Sequence, residues 1–139
     1  MQRLLPWLAA LAALVVVPVG GAAVVSPTVR LTIDHIVEGC HSWGTAESEP
    51  LGPTRTIVVR RGTRLQIRVN CPMDFVFSQT AGPKLALGDP LTHTGTVRTI
   101  VFRKAGFYKL RATGAQTSEQ LGLQTLGTDN VLVLTVRVK

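Results

Sequence analysis

RLQIRVN, residues 64–70, alternates apolar and polar side chains without a break. Leu65, Ile67 and Val69 fall on one face; Arg64, Gln66 and Arg68 fall on the other. A period of two lets a strand bury one side and wet the other, and it does not fit a helix. The same alternation recurs along the chain. NVLVLTVRVK at the end places Leu132, Leu134, Val136 and Val138 inward. TVRLTIDHIV, residues 28–37, does so with Val29, Leu31, Ile33 and His35. TRTIVVR (54–60), DFVFSQ (74–79), TVRTIVF (96–102) and FYKLRAT (107–113) read as further strands.

The segments between them carry turn chemistry. Arg61-Gly62-Thr63 and Lys104-Ala105-Gly106 are expected as tight hairpin connections, glycine supplying the positive φ. Ala81-Gly82-Pro83 and Gly88-Asp89-Pro90 mark loops. No segment carries a helical period. GAQTSEQLGLQTLGTDN, residues 114–130, is too polar and glycine-broken for a central strand and is expected as a long loop with at most a short helical turn. Charged residues are sparse, at 17%, while Val, Leu, Thr and Gly abound, as suits a β protein. About seven short strands in one small domain predict an all-β fold, a two-sheet sandwich or a closed barrel.

The leading residues read as an export signal. Met1-Gln2-Arg3 is a short basic start, followed by the uncharged run LLPWLAALAALVVVPVGGAAVV, residues 4–25. Gly21-Ala22-Ala23 offers small residues for cleavage, so residues 1–23 are assigned as a signal peptide and 28–139 as the domain. An uncleaved membrane anchor is the alternative, since the run is long enough to span a bilayer; Pro6, Pro18 and Gly20-Gly21 weaken it as a helix. In either case the protein is expected to be exported: secreted, periplasmic or held at the cell surface.

Export bears on the two cysteines. In an oxidising compartment an even pair is by default a disulfide. A Cys40–Cys71 bond would close a loop of about thirty residues and stabilise the fold by about 3 kcal/mol. The formal charge is +7, and the basic residues are scattered rather than clustered among aromatics. That excludes a typical nucleic-acid surface; the charge is read first as an ordinary solvated basic face, with an anionic wall, membrane or other cell-surface component as its partner otherwise.

Catalytic motifs are missing. There is no Gly-x-Ser-x-Gly elbow, no His-Glu-x-x-His and no phosphate-binding glycine loop. Cys40-His41 is a poor nucleophile–base pair, because adjacent residues on an extended chain point to opposite sides. The chain is therefore read as a non-enzyme. What remains is a set of soft and borderline ligands: Cys40, His41, Met73 and His93, with Cys71 as a further thiolate or as the disulfide partner of Cys40. Thiolate, imidazole and thioether together suit copper, Cu(I) above all. Each has a plainer reading: Met73 as a packing residue, His41 and His93 as hydrogen-bonding or solvated histidines, Trp43 as a core plug. His35 is the weakest ligand candidate.

Arg61-Gly62-Thr63, the strand ending Val69-Asn70, the Met73 turn and Phe75-Val76-Phe77 together resemble the part of a cupredoxin that carries the first copper histidine. Lys104-Ala105-Gly106-Phe107-Tyr108 resembles the segment leading to the usual copper loop. Gly39-Cys40-His41-Ser42-Trp43 is similar to a Gly-Cys-His-x-Trp element of small secreted bacterial cupredoxin-like proteins. The resemblance covers most of residues 28–139 and implies a Greek-key β-sandwich, copper as cofactor, and a redox or copper partner protein. It also departs from the family. Cys71-Pro72-Met73-Asp74-Phe75 stands where a Met-Pro-His-like turn is usual, and residues 111–130 contain no Cys, His or Met. The resemblance thus implies either copper held by a different set, for storage, delivery or electron transfer, or a metal-free, disulfide-stapled interaction module at the cell surface.

Overall fold

The computed structural model describes residues 25–36, 41–47, 50–115 and 130–139. The signal segment, Cys40 and most of the polar 114–130 stretch lie outside the described residues. Nine strands run in chain order: β1 (Thr28–His35), β2 (His41–Gly44), β3 (Thr54–Val59), β4 (Arg64–Val69), β5 (Asp74–Ala81), β6 (Leu91–Thr92), β7 (Val97–Val101), β8 (Gly106–Ala115) and β9 (Val131–Val138). Seven coincide with the strands expected from alternation. The additions are β2, four residues read from sequence as a turn with a plug, and β6, two residues too short to show a period.

The strands form two sheets, one ordered β2-β1-β4-β7 and the other β3-β9-β8-β5-β6. β1 pairs parallel with β4 and β3 parallel with β9, and the remaining neighbours are antiparallel. The inward residues follow the period-two assignment. Leu31, Ile33, Leu65, Ile67, Val69 and Ile100 from one sheet meet Phe75, Phe77, Leu110, Leu132, Leu134 and Val136 from the other, all buried. His35 departs from its expected place: it ends β1 beyond the core and is exposed.

The two expected hairpins are corners instead. β3 and β4 belong to different sheets, as do β7 and β8, so neither turn joins paired strands. Gly62 does have the positive φ, +82°, and Thr63 N–H donates to Arg60 O at 3.1 Å. The turn then lifts the chain across the sandwich rather than folding it back. Periodicity names the buried face of each strand but not which sheet it joins, which is why the hairpin reading failed.

Both sides of the sandwich are closed by specific polar contacts. On one side Trp43, fully buried, exchanges backbone bonds with Gly52 and Leu51 and donates its indole N–H to Val133 O at 3.1 Å, tying β2 to β9 of the opposite sheet. On the other side Arg98 of β7 turns inward over the Phe77 ring, 4.9 Å from its centroid. Its guanidinium donates to Thr92 Oγ1 at 2.6 Å, Leu87 O at 2.5 Å, Leu91 O at 3.2 Å, and Asp89 O. The seam between edge strands β6 and β7 is thereby sealed by a cation whose partners are mostly main-chain carbonyls. Trp43→Ala removes both a large core side chain and the inter-sheet bond. It is expected to lower stability by about 3–5 kcal/mol, read as a reduced midpoint in guanidinium unfolding with little change in slope.

Candidate functional site

The inward series of β4 does not stop at the strand end. Asn70 N–H still bonds Ile33 O at 2.9 Å, so the chain stays paired with β1 for one more residue and Cys71 continues the parity of Val69. Its side chain is fully buried, and its thiol donates to Met73 O at 3.5 Å. Burial pushes the Cys71 thiol up, with the Asp34 and Asp74 carboxylates adding in the same direction and backbone hydrogen bonds opposing. Cys71 is a free cysteine here. Among the described residues the Cys71 sulfur forms no disulfide and is satisfied inside the core; its expected partner Cys40 lies outside the described residues.

Pro72 ends the pairing, and Met73 turns inward at the start of β5, also buried. Its thioether fills a hollow left by Gly114 of β8, which stands opposite Phe75. A Cβ on Gly114 would fall on Met73 Sδ, well inside van der Waals contact, and would also crowd Asn130 Cβ at 3.4 Å. His41 arrives at the same place from β2. It is buried, its Nδ1 lies 3.1 Å from Asn130 Oδ1, and its ring meets Phe75 edge-on at 5.4 Å. His35, opposite His41 in the β1–β2 register, adds a second edge contact at 5.4 Å from the outside. Asn130 thus borders the same hollow as the thioether of Met73 and also holds the imidazole of His41.

His93 does not join them. Asp74 follows Met73 and so has the opposite parity, and it holds His93 on its own side. His93 Nδ1 lies 2.8 Å from Asp74 Oδ2, and Thr94 N–H donates to Asp74 Oδ1 at 2.8 Å. The His93 side chain is 64% exposed while that of Asp74 is 8% exposed. Burial works against the Asp74 carboxylate, but the Thr94 amide and His93 outweigh it and hold the carboxyl below its ordinary range. A further bond, Thr94 Oγ1 to Cys71 O at 2.8 Å, fastens this corner to the end of β4.

The sequence-derived ligand set therefore divides. His41 is held by Asn130, which shares the Gly114 hollow with Met73, Cys71 bonds the Met73 carbonyl, His93 is committed to Asp74, and Cys40 lies outside the described residues. Sequence reasoning missed Asn130, Gly114 and the role of Asp74. Only Asp74 carried a signal, as an acidic residue opening an otherwise apolar strand. Among the described residues no group of three or more His, Cys, Asp or Glu side chains is placed to hold a metal ion. The soft donors on this side, one imidazole and one thioether, fit copper(I) by their chemistry and do not fit a hard cation.

No family model and no curated protein matches the sequence. Solved structures do. The multicopper oxidase from Campylobacter jejuni is 16% identical over 81% of this chain with a TM-score of 0.50, this chain spanning 25% of the oxidase. A reduced amicyanin variant is 14% identical, with 84% of this chain and 87% of amicyanin covered and a TM-score of 0.46. The copper-containing nitrite reductase from Thermus scotoductus SA-01 is 18% identical, with 78% of this chain and 28% of the reductase covered and a TM-score of 0.37. At such identities the likeness concerns the fold, and the fold is cupredoxin-like: a two-sheet β-sandwich, as the sequence resemblance implied.

Two outcomes are expected. Because the Asp74 carboxyl is held below its unfolded value of about 3.9, its contribution is complete above that pH and is lost as pH falls through the folded value. The stability gap between wild type and Asp74→Asn, about 1–2 kcal/mol from the ionic hydrogen bonds, should be flat near neutrality and close below about pH 4; urea titrations across pH check it. In a Cys40→Ser background, native Cys71 should react with a thiol reagent on the order of a hundredfold more slowly than in the unfolded chain, since attack needs both opening and deprotonation.

Proposed function

We propose that this chain is an exported, copper-binding protein of cupredoxin-like fold, taking Cu(I) at the His41–Met73 end of the sandwich for storage, delivery or electron transfer. The observation that carries the reading is that the buried imidazole of His41, on β2, lies at hydrogen-bond distance from Asn130, while Asn130 and the buried thioether of Met73, in the turn before β5, both border the hollow beside Gly114. Soft donors of this kind select Cu(I). That the solved protein with the matching fold is by name a multicopper oxidase adds support. His41 and Met73 would hold the metal; Cys40, expected as a ligand from the sequence, lies outside the described residues. Cys71 could contribute only after losing the proton that burial keeps on it. Copper bound there would supply a transferable ion or a one-electron couple to a redox or copper partner protein. The apolar leader, residues 1–23, supplies the basis for export, with 28–139 as the single domain and no catalytic step assigned.

A second reading is a metal-free interaction module at the cell surface. It is favoured by one observation: His93, an expected ligand, is turned to Asp74 rather than to Met73. Cu(I) titration of the reduced full chain against a chromogenic chelator separates the two. The copper reading expects one equivalent bound, an affinity reduced about tenfold or more in the nearly isosteric Met73→Leu, and no change in His93→Gln. No stoichiometric uptake, or uptake indifferent to Met73→Leu, would establish the metal-free module at this site.

A further inference from the structure

The outward face of the β2-β1-β4-β7 sheet is cationic in a way the copper reading does not use. The register sets Thr28, Arg64 and Val101 in one row, Arg30, Gln66 and Thr99 in the next, and Thr32, Arg68 and Val97 in a third. Two depressions open on this face. One, of about 270 Å³, is lined by Arg30, Thr32, Gln66, Arg68 and Val97. The other, of about 290 Å³, lies along the same side of β7 and is lined by Thr99, Val101, Lys84, Arg103 and Lys104, together with Leu85, Ala86 and the edge of the otherwise buried Tyr108. Among the described residues neither is lined by a carboxylate. Among the described residues the sole ion pair is His93–Asp74, elsewhere in the molecule. Asp34, at the margin of the face, is already bonded to Thr32 Oγ1 at 2.5 Å and Asn70 Nδ2 at 3.0 Å. Among the described residues six cations, Arg30, Arg64, Arg68, Lys84, Arg103 and Lys104, thus point to solvent with no ion-pair partner, and they favour an anionic surface across the whole sheet rather than one small ion.

From this we infer that the β1–β4–β7 face docks the domain flat against a membrane surface bearing anionic phospholipid headgroups. Three features choose that occupant. Guanidinium forks and ammonium groups match phosphate oxygens. The face exposes Val97 but no aromatic side chain, so it lacks the stacking platform of a single-strand nucleic-acid binder and the ring wedges of an inserting helix. Finally, the uncharged run of residues 4–25 ends three positions before β1, and β1 carries Arg30. Where the run is kept as an uncleaved anchor, the apolar layer that takes it up sets this sheet at its boundary; with the run removed, the charged face acts alone. The inference is independent of whether copper binds at the other end of the sandwich.

The test is flotation of the full chain with vesicles of phosphatidylcholine alone and of phosphatidylcholine with about a quarter phosphatidylglycerol. Any contribution of the apolar run is common to both, so the difference reports the charged face. The anionic vesicles should bind more strongly. That gain should fall about a hundredfold in Arg30→Gln/Arg64→Gln/Arg68→Gln, since each basic residue near an anionic surface contributes about fivefold. It should survive in the Arg→Lys triple variant and disappear at high salt. The three side chains are exposed, and an unchanged unfolding midpoint verifies that the variants are folded. The inference is overturned if phosphatidylglycerol gives no gain, if the glutamine triple variant keeps the gain, or if single-stranded DNA or soluble polyphosphate captures the protein while anionic vesicles do not.

Discussion

A strand that buries one face cannot slip by a single residue without turning its whole apolar set to water, and β4 imposes that constraint on the rest of the sandwich. Leu65, Ile67 and Val69 are fully buried, and β4 sits between β1 and β7, so its register fixes both neighbours. The parity then runs past the strand end through Cys71 to Met73 and is taken up by Phe75 and Phe77 in the opposite sheet. One alternating series therefore crosses from sheet to sheet and sets which side chains face inward at the end of the molecule.

The division of the soft ligands follows from that parity. Met73 shares the inward phase and fills the Gly114 hollow, which Asn130, the partner of His41, also borders. Asp74, one residue on, has the outward phase and takes His93 with it. A site with His41 and His93 on one metal would require adjacent residues of β5 to point the same way, which an extended chain does not allow. Cys71 has the inward phase too, but it arrives with its thiol hydrogen-bonded to the main chain of its own turn, as a buried structural thiol.

The strands and their buried faces were legible in the sequence because alternation is a local property. Leu132, Leu134, Val136 and Val138 could be placed inward without knowledge of any partner. The corners at Gly62 and Gly106 were not legible as such. A glycine with positive φ serves equally in a hairpin and in a crossing between sheets, and only the long-range partner distinguishes them. β2 was hidden because His41-Ser42-Trp43-Gly44 is short and buried on both phases. Of the site, the residue types were readable and their grouping was not. Nothing local marks Asn130 as the contact of His41, eighty-nine positions away, or Gly114 as the space that Met73 fills.

The Arg98 seam has a consequence for how freely the chain can vary. Three of its four hydrogen-bond acceptors are carbonyls of Leu87, Asp89 and Leu91, and every residue type presents a carbonyl. That grip does not depend on the loop's side chains, so the exposed ones, such as Ala86, are left open to substitution while the guanidinium is not. Leu85 and Leu87, which pack against the core, and Asp89, whose carboxylate accepts from Leu91 N–H, are fixed for other reasons. A single arginine makes that stretch the place where the protein can acquire new surface without loosening its sandwich.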